Sequence, residues 1–327
     1  MTQNPPRILV VRLGAMGDIV HALPAVASLK QGLPGSHLTW VIEPQWAALL
    51  EGNPFVDRVI LLHRRSASGV LASLRELRSA TFDFAVDFQG LLKSAVVAAA
   101  ARPERIFGWD RGQLREAAAG VFYTHRASSA AAHVVDRNLD LAAAAGAGQA
   151  FRVFPLPAGR PEGALPGGPF VLASPMAGWR AKQWPLENYL ALGGLLKREC
   201  NLPLVLNAPP AAALGHEEAV WPHACGLSGL VDATRRAAAV VGVDSGPMHL
   251  AAALGKPGVA LFGPTDPARN GPYGDSLRVL RWSGAVTTYK RLDAIDESMR
   301  RITPEEVVES LRAALGCARG SSGCVAE

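Results

Sequence analysis

Three stretches of this chain join a strand-like run to a helix through a turn that carries groups able to neutralise charge or move a proton. "VVGVDSGPMHLAAALGKPGVALFGPTDP", Val240 to Pro267, is an apolar strand ending at Asp244, a Ser245-Gly246-Pro247 turn and a helix closing near Gly255. Gly246 permits close backbone approach, and Pro247 suits the first helical position because it needs no N–H partner. Free N–H groups and the helix dipole at such a start attract a diphosphate, with His249 in the first turn as a further donor. The plainer alternative is an ordinary turn, with Ser245 as its cap and His249 packed or solvated. "FGPTDP" adds a second polar loop on the same edge. "ASPMAGWRAKQWPLENY", Ala173 to Tyr189, is built the same way. Its Lys182 is either a surface residue or a point charge that neutralises a leaving phosphate.

The third stretch, "RLGAMGDIVHALP", Arg12 to Pro24, follows the apolar run Ile8 to Val11. Gly14 and Gly17 lie in its turn, but no third glycine stands at the offset a dinucleotide fingerprint requires. Asp18 would repel a pyrophosphate there. It is either the N-cap of the following helix or a carboxylate aimed at a ligand whose phosphates lie elsewhere. The second placement suits a general base acting on a hydroxyl.

The elements that must position these residues alternate. "RILVVRL", "HLTWVIE", "VDRVILL", "FDFAVDFQG" and "RIFGWD" are strand-like, with helical "IVHALPAVASLKQGL" (interrupted or kinked at Pro24), "GVLASLRELRSA" and an Ala-rich stretch near Leu91 between them. Pro and Gly crowd Phe154 to Phe170, and the alternation then restarts with "FVLASP", "LPLVLNAPP", "AAVVGVD" and "GVALFG". A last helix, "TPEEVVESLRAAL", opens with Thr303 as N-cap and Pro304 at its first position. The pattern predicts two α/β domains with doubly wound parallel sheets, at residues 1–155 and 169–315, a linker at 156–168 and a loose tail at 316–327. The final helix belongs to the second domain or packs back on the first. Two such domains facing each other leave a cleft lined by the carboxyl ends of their strands, where ligands usually bind.

Hydrophobic residues make up 49% of the 327, and charged ones 19%, which describes a globular protein with a substantial core. Of the formal charge of +5, the first 155 residues carry +4, from sixteen Lys/Arg against twelve Asp/Glu. No basic run is long enough for a nucleic-acid arm, so nucleic acid is not an expected partner. Four cysteines (Cys200, Cys225, Cys317 and Cys324) show no Cys-x-x-Cys spacing and read as reduced cytoplasmic thiols. Apolar stretches fall short of the ~18 residues of a spanning helix, so any membrane contact is expected to be peripheral.

"RLGAMGDIVHALPAV" together with "VDSGPMHLAAALGKPGVALFGPTDP" resembles the heptosyltransferase family (glycosyltransferase family 9), which has the GT-B architecture of two Rossmann-like domains. "LREAAAGVFY", "HVVDRN" and the basic "HRR" at His63 to Arg65 are similar to the branch acting at the lipopolysaccharide inner core. The resemblance implies inverting, metal-independent transfer of L-glycero-D-manno-heptose from ADP-heptose to Kdo of lipid A, with no cofactor. It also implies peripheral contact with the cytoplasmic face of the inner membrane. By position, Asp18 matches the base and Lys182 the lysine at the donor phosphates. Gly17, Asp244, Ser245, Gly246 and His249 match donor-binding positions, and Arg64, Arg65, Arg115 and Arg137 those that hold the acidic acceptor. One feature departs from the family. The Trp-Gly stretch and ribose-binding Glu expected after the second strand of the second domain are replaced by "LNAPPAAALGHEEAV", where Glu217 or Glu218 stands nearest.

Other readings differ in what they ask of these residues. A nicotinamide dehydrogenase would use Glu43 on a ribose, but lacks its third glycine here. A non-catalytic nucleotide-sugar-binding protein would keep Ser245-Gly246 and have no use for Asp18. Within the family the rival acceptors are a later core heptose, O-antigen or a protein.

Overall fold

The computed structural model describes residues 5–208 and 219–316. The chain divides into two units, Met1–Pro157 and Ala158–Glu327. The first holds β1 (Arg7–Val11), α1 (Met16–Gly32), β2 (His37–Ile42), β3 (Arg58–Leu61), α2 (Ala67–Arg78), β4 (Phe84–Asp87), α3 (Leu92–Ala100), β5 (Arg105–Trp109), β6 (His125–Ala127) and α4 (Val134–Ala144). Its six strands run parallel in the order β3-β2-β1-β4-β5-β6. Ile8 to Val11 and all of β4 are buried, as the apolar run of a strand covered on both faces requires. Val11 pairs with both Val41 of β2 and Asp87 of β4, so the loops after these strands leave from one edge.

The sequence suggested a break at Pro24, yet α1 continues through it. Proline removes one internal hydrogen bond. Burial of nearly every residue from Met16 to Leu29 and packing against α4 hold the helix across that gap.

The second unit holds β7 (Val171–Ser174), α5 (Leu186–Cys200), β8 (Leu204–Asn207), β9 (Val220–His223), α6 (Leu227–Arg236), β10 (Ala239–Val243), α7 (Gly246–Ala253), β11 (Gly258–Phe262), α8 (Pro267–Asn270), β12 (Leu277–Arg281), α9 (Glu297–Arg300) and α10 (Pro304–Ala314). Its strands are also parallel, in the order β12-β11-β10-β7-β8-β9. Counted within its own unit, each sheet therefore has the order 3-2-1-4-5-6. In that winding the first and fourth strands are neighbours whose connections leave in opposite directions. The crevice beyond their carboxyl ends is the usual ligand site of a doubly wound sheet.

The last helix, α10, stays with its own unit. Val307, Val308 and Leu311 join a core with Leu192 and Leu196 of α5 and Leu261 of β11. Its start is fixed reciprocally: Thr303 Oγ1 accepts the Glu306 amide at 3.3 Å, and Glu306 Oε2 accepts the Thr303 amide at 2.8 Å. Thr303→Ala is expected to destabilise the second unit by about 1 kcal/mol, measured as an earlier urea midpoint by tryptophan fluorescence.

Candidate functional site

In the second unit the first and fourth strands are β7 and β10, and charged groups bridge their carboxyl ends. Lys182 lies in the 3-10 turn Arg180–Lys182 after β7, and Asp244 directly follows β10. Lys182 Nζ is 3.0 Å from Asp244 Oδ2, with side-chain exposures of 15% and 6%. His249 Nε2 stands 3.7 Å from the other oxygen, Oδ1. Burial alone would raise the Asp244 pKa. The hydrogen bond from His249 and the charge and hydrogen bond of Lys182 outweigh it and hold the pKa at about 2. The ammonium also lies 4.9 Å from the centre of the Trp179 ring. Asp244 therefore anchors Lys182 through one oxygen and faces the His249 ring with the other. The carboxylate of Asp244 thus stands between Lys182 and His249.

Helix α7 begins beside this pair. Ser245 occupies the N-cap, yet its buried hydroxyl makes no cap bond and has no hydrogen-bond partner among the described residues. It is thus not the ordinary cap that the plainer alternative required. The first amides of a helix have no intrahelical acceptors, so this end attracts anions. A Cβ at Gly242 would lie 2.7 Å from Met248 Cβ, so glycine there lets α7 start close against β10. Thr265, in the loop after β11, is 2% exposed and its hydroxyl is likewise unpartnered. Its only sequence signal was the polar "FGPTDP" loop.

In the first unit the corresponding strands are β1 and β4, and Asp18 lies beyond their ends. The N-cap of α1 is Ala15, and Asp18 is three residues further on, at N3. Asp18 Oδ2 accepts the Ala15 amide at 3.3 Å and is 2.7 Å from Arg12 Nη2. The Arg12 side chain is 8% exposed and that of Asp18 48%. Arg12 opens the Arg12–Pro24 motif, but the motif does not single it out, since its partners lie six and 76 residues away. A Cβ at Gly14 would come within 2.7 Å of Trp46 Nε1, so glycine lets that indole pack on the turn. Gly17 is buried in the first turn of α1.

The four candidate arginines follow strands on opposite sides of the first sheet. Arg64 and Arg65 line a cavity of about 560 Å³ after β3, with Glu43, His63 and Ser66. Arg64 Nε is 2.6 Å from Glu43 Oε1, and Lys93 Nζ approaches the same oxygen at 3.9 Å. Arg115 follows β5 and is exposed, while Arg137, on α4 after β6, stacks over Trp109 at 5.2 Å. In the strand order β3 stands at one edge of the sheet and β5 and β6 at the other. Glu217 and Glu218, like Cys317 and Cys324, fall outside the described residues. Among the described residues no three His, Cys, Asp or Glu side chains are grouped to hold a metal ion.

Two Rossmann-like units, each with charged groups at the junction of its first and fourth strands, are the architecture of the GT-B class. Residues 70–296 match the model of glycosyltransferase family 9 (heptosyltransferase). The chain belongs to that family. It is 32% identical over 302 residues to lipopolysaccharide heptosyltransferase 1 of Pseudomonas aeruginosa, an alignment covering 83% of this chain and 82% of that one. The structure of the E. coli heptosyltransferase WaaC with ADP is similar at a TM-score of 0.74 and 26% identity, covering 94% of this chain and 99% of that one. The same enzyme with ADP-2-deoxy-2-fluoro heptose is similar at 0.74 and 26%, covering 93% and 98%.

Because folding lowers the Asp244 pKa, its contribution is complete above about pH 4 and disappears as pH falls through about 2. The shift is worth about 2 kcal/mol at neutral pH. Asp244→Asn is expected to lose about that much and to lack the segment of acid destabilisation between pH 4 and 2, as chemical denaturation across that range will show.

Proposed function

We propose that this protein is an inverting heptosyltransferase that moves L-glycero-D-manno-heptose from ADP-heptose to Kdo of lipid A, building the lipopolysaccharide inner core. The relative from Pseudomonas aeruginosa supports the reaction class, and WaaC with an ADP-heptose analogue supports the donor. The observation that carries the reading is a half-exposed carboxylate, Asp18, at the β1–β4 junction with one oxygen ion-paired and no described residue bonding the other.

In this mechanism the second oxygen of Asp18 takes the proton of a Kdo hydroxyl as that hydroxyl's oxygen bonds to the anomeric carbon. The bond from that carbon to the diphosphate breaks on the opposite face, and ADP leaves with the electron pair. A single displacement turns the β donor into an α product. Lys182, the α7 amides and the Ser245 hydroxyl stabilise charge growing on the diphosphate, so no metal is required. Arg64 and Arg65 suit a carboxylate or phosphate of the acceptor because a guanidinium binds two oxygens at once. The acceptor is lipid-borne, which places the enzyme at the cytoplasmic face of the inner membrane in peripheral contact. No helix of the described residues is long and apolar enough to cross a membrane.

Incubation with ADP-heptose and de-acylated Kdo-bearing lipid A is expected to add one heptose, seen by mass spectrometry, with undiminished rate in EDTA. Absence of that product with intact ADP binding overturns the acceptor assignment. Asp18→Ala should bind ADP as the parent does and transfer at least about 100-fold more slowly. Full transfer by that variant would end the base assignment. Lys182→Ala should lose about 100-fold or more in kcat and weaken ADP binding measured by calorimetry.

A further inference from the structure

Val11 ends β1 opposite Asp87 at the end of β4, so the residues that follow meet beyond the sheet edge. Arg12 fills that junction. Its Nη1 donates to the Phe88 carbonyl at 2.5 Å, its Nη2 contacts Asp18 Oδ2 at 2.7 Å, and its buried Nε has no partner among the described residues. Taking a guanidinium out of water is unfavourable unless a well-placed anion compensates. Here the anion is nearly half exposed, and a carboxylate that water already solvates compensates poorly. The pair buries the cation and presents the anion.

The surroundings keep Arg12 from moving. Asp87, fully buried, accepts the Gln89 amide at 2.9 Å, the Gly90 amide at 3.3 Å, the Ser94 hydroxyl at 2.8 Å and the Tyr123 hydroxyl at 2.7 Å. That clamp fixes the loop carrying the Phe88 carbonyl. Gln89 Oε1 accepts the Leu13 amide at 2.9 Å, and the Arg12 carbonyl accepts Trp40 Nε1 at 3.0 Å. The guanidinium is therefore held through its own backbone and through the neighbouring strand's loop.

We infer that Arg12 is the positioning residue of the proposed base: it binds Oδ2, sets the orientation of the Asp18 carboxylate and leaves the second oxygen for the incoming hydroxyl. The inference rests on the base role proposed for Asp18. Without Arg12, the remaining described bond to Oδ2 is the longer one from Ala15 at 3.3 Å, which leaves the side chain free to rotate.

Arg12→Gln and Arg12→Lys, made in the full chain, test this through kcat, acceptor KM, ADP affinity and thermal midpoint. Arg12→Gln is expected to lower kcat about 10- to 100-fold with acceptor KM and ADP affinity within about threefold of the parent, the pattern of a lost transition-state contribution. Arg12→Lys, which keeps a charge beside Asp18 but lacks the fork that also reaches Phe88, should recover most of that loss. Parental kcat in a folded Arg12→Gln overturns the proposal, as do equal losses in both variants that follow the thermal midpoint. If Arg12→Gln does not fold, Arg12→Lys decides: a several-fold fall in kcat at constant KM supports the role, and a change confined to KM overturns it. Asp18→Ala at full activity removes the base itself, whereas an inactive Asp18→Ala beside a fully active Arg12→Gln removes only the positioning role.

Discussion

In each unit a cation largely withdrawn from water sits where the first and fourth strands of the sheet end side by side. Arg12 lies beyond β1 and reaches the loop after β4; Lys182 lies after β7 and reaches the residue after β10. A buried positive charge is tolerated only when specific acceptors meet it. Each cation therefore ties together two loops that the strand order has brought together. The flush ends of the parallel strands make those meetings possible, since Val11 pairs with Asp87 and Gly242 with Ser174.

The two units use the same junction with the roles of the charges exchanged. In the second, the carboxylate of Asp244 is the buried anchor, engaged on both oxygens, and its low pKa keeps it charged through the physiological range. Its lysine is thereby fixed beside the open start of α7, where anionic ligands are favoured. In the first, the guanidinium is the anchor and the carboxylate of Asp18 is presented. A negative charge in a glycine-rich turn is out of place only if that turn holds phosphate. Beside a buried arginine it has its counter-charge, and the helix start open to anions lies in the other unit.

Strand order also sorts the basic residues. Arg64 and Arg65 share a cavity with Glu43, whose carboxylate already holds Arg64. Arg115 and Arg137 belong to the opposite side of the same sheet.

Much of the architecture follows from local sequence alone. Long apolar runs such as those of β1, β4 and β10 declare buried parallel strands, and the Thr303-Pro304 start declares α10, because burial and capping act within a few residues. β6, β9 and β12 are not legible, because His125, Arg126, Trp221 and Arg278 expose polar or bulky side chains that break the apolar signal. The turn motifs marked Asp18, Lys182 and Ser245 as residues of interest by type and spacing. Only the folded chain decided what Asp18 and Lys182 touch, because a charge's surroundings are set by the groups that replace its water. For Asp18 that group is an arginine fixed by a carbonyl 76 residues away, and for Lys182 it is an aspartate 62 residues on. Contacts so distant in sequence exist only once the order of the strands has been set.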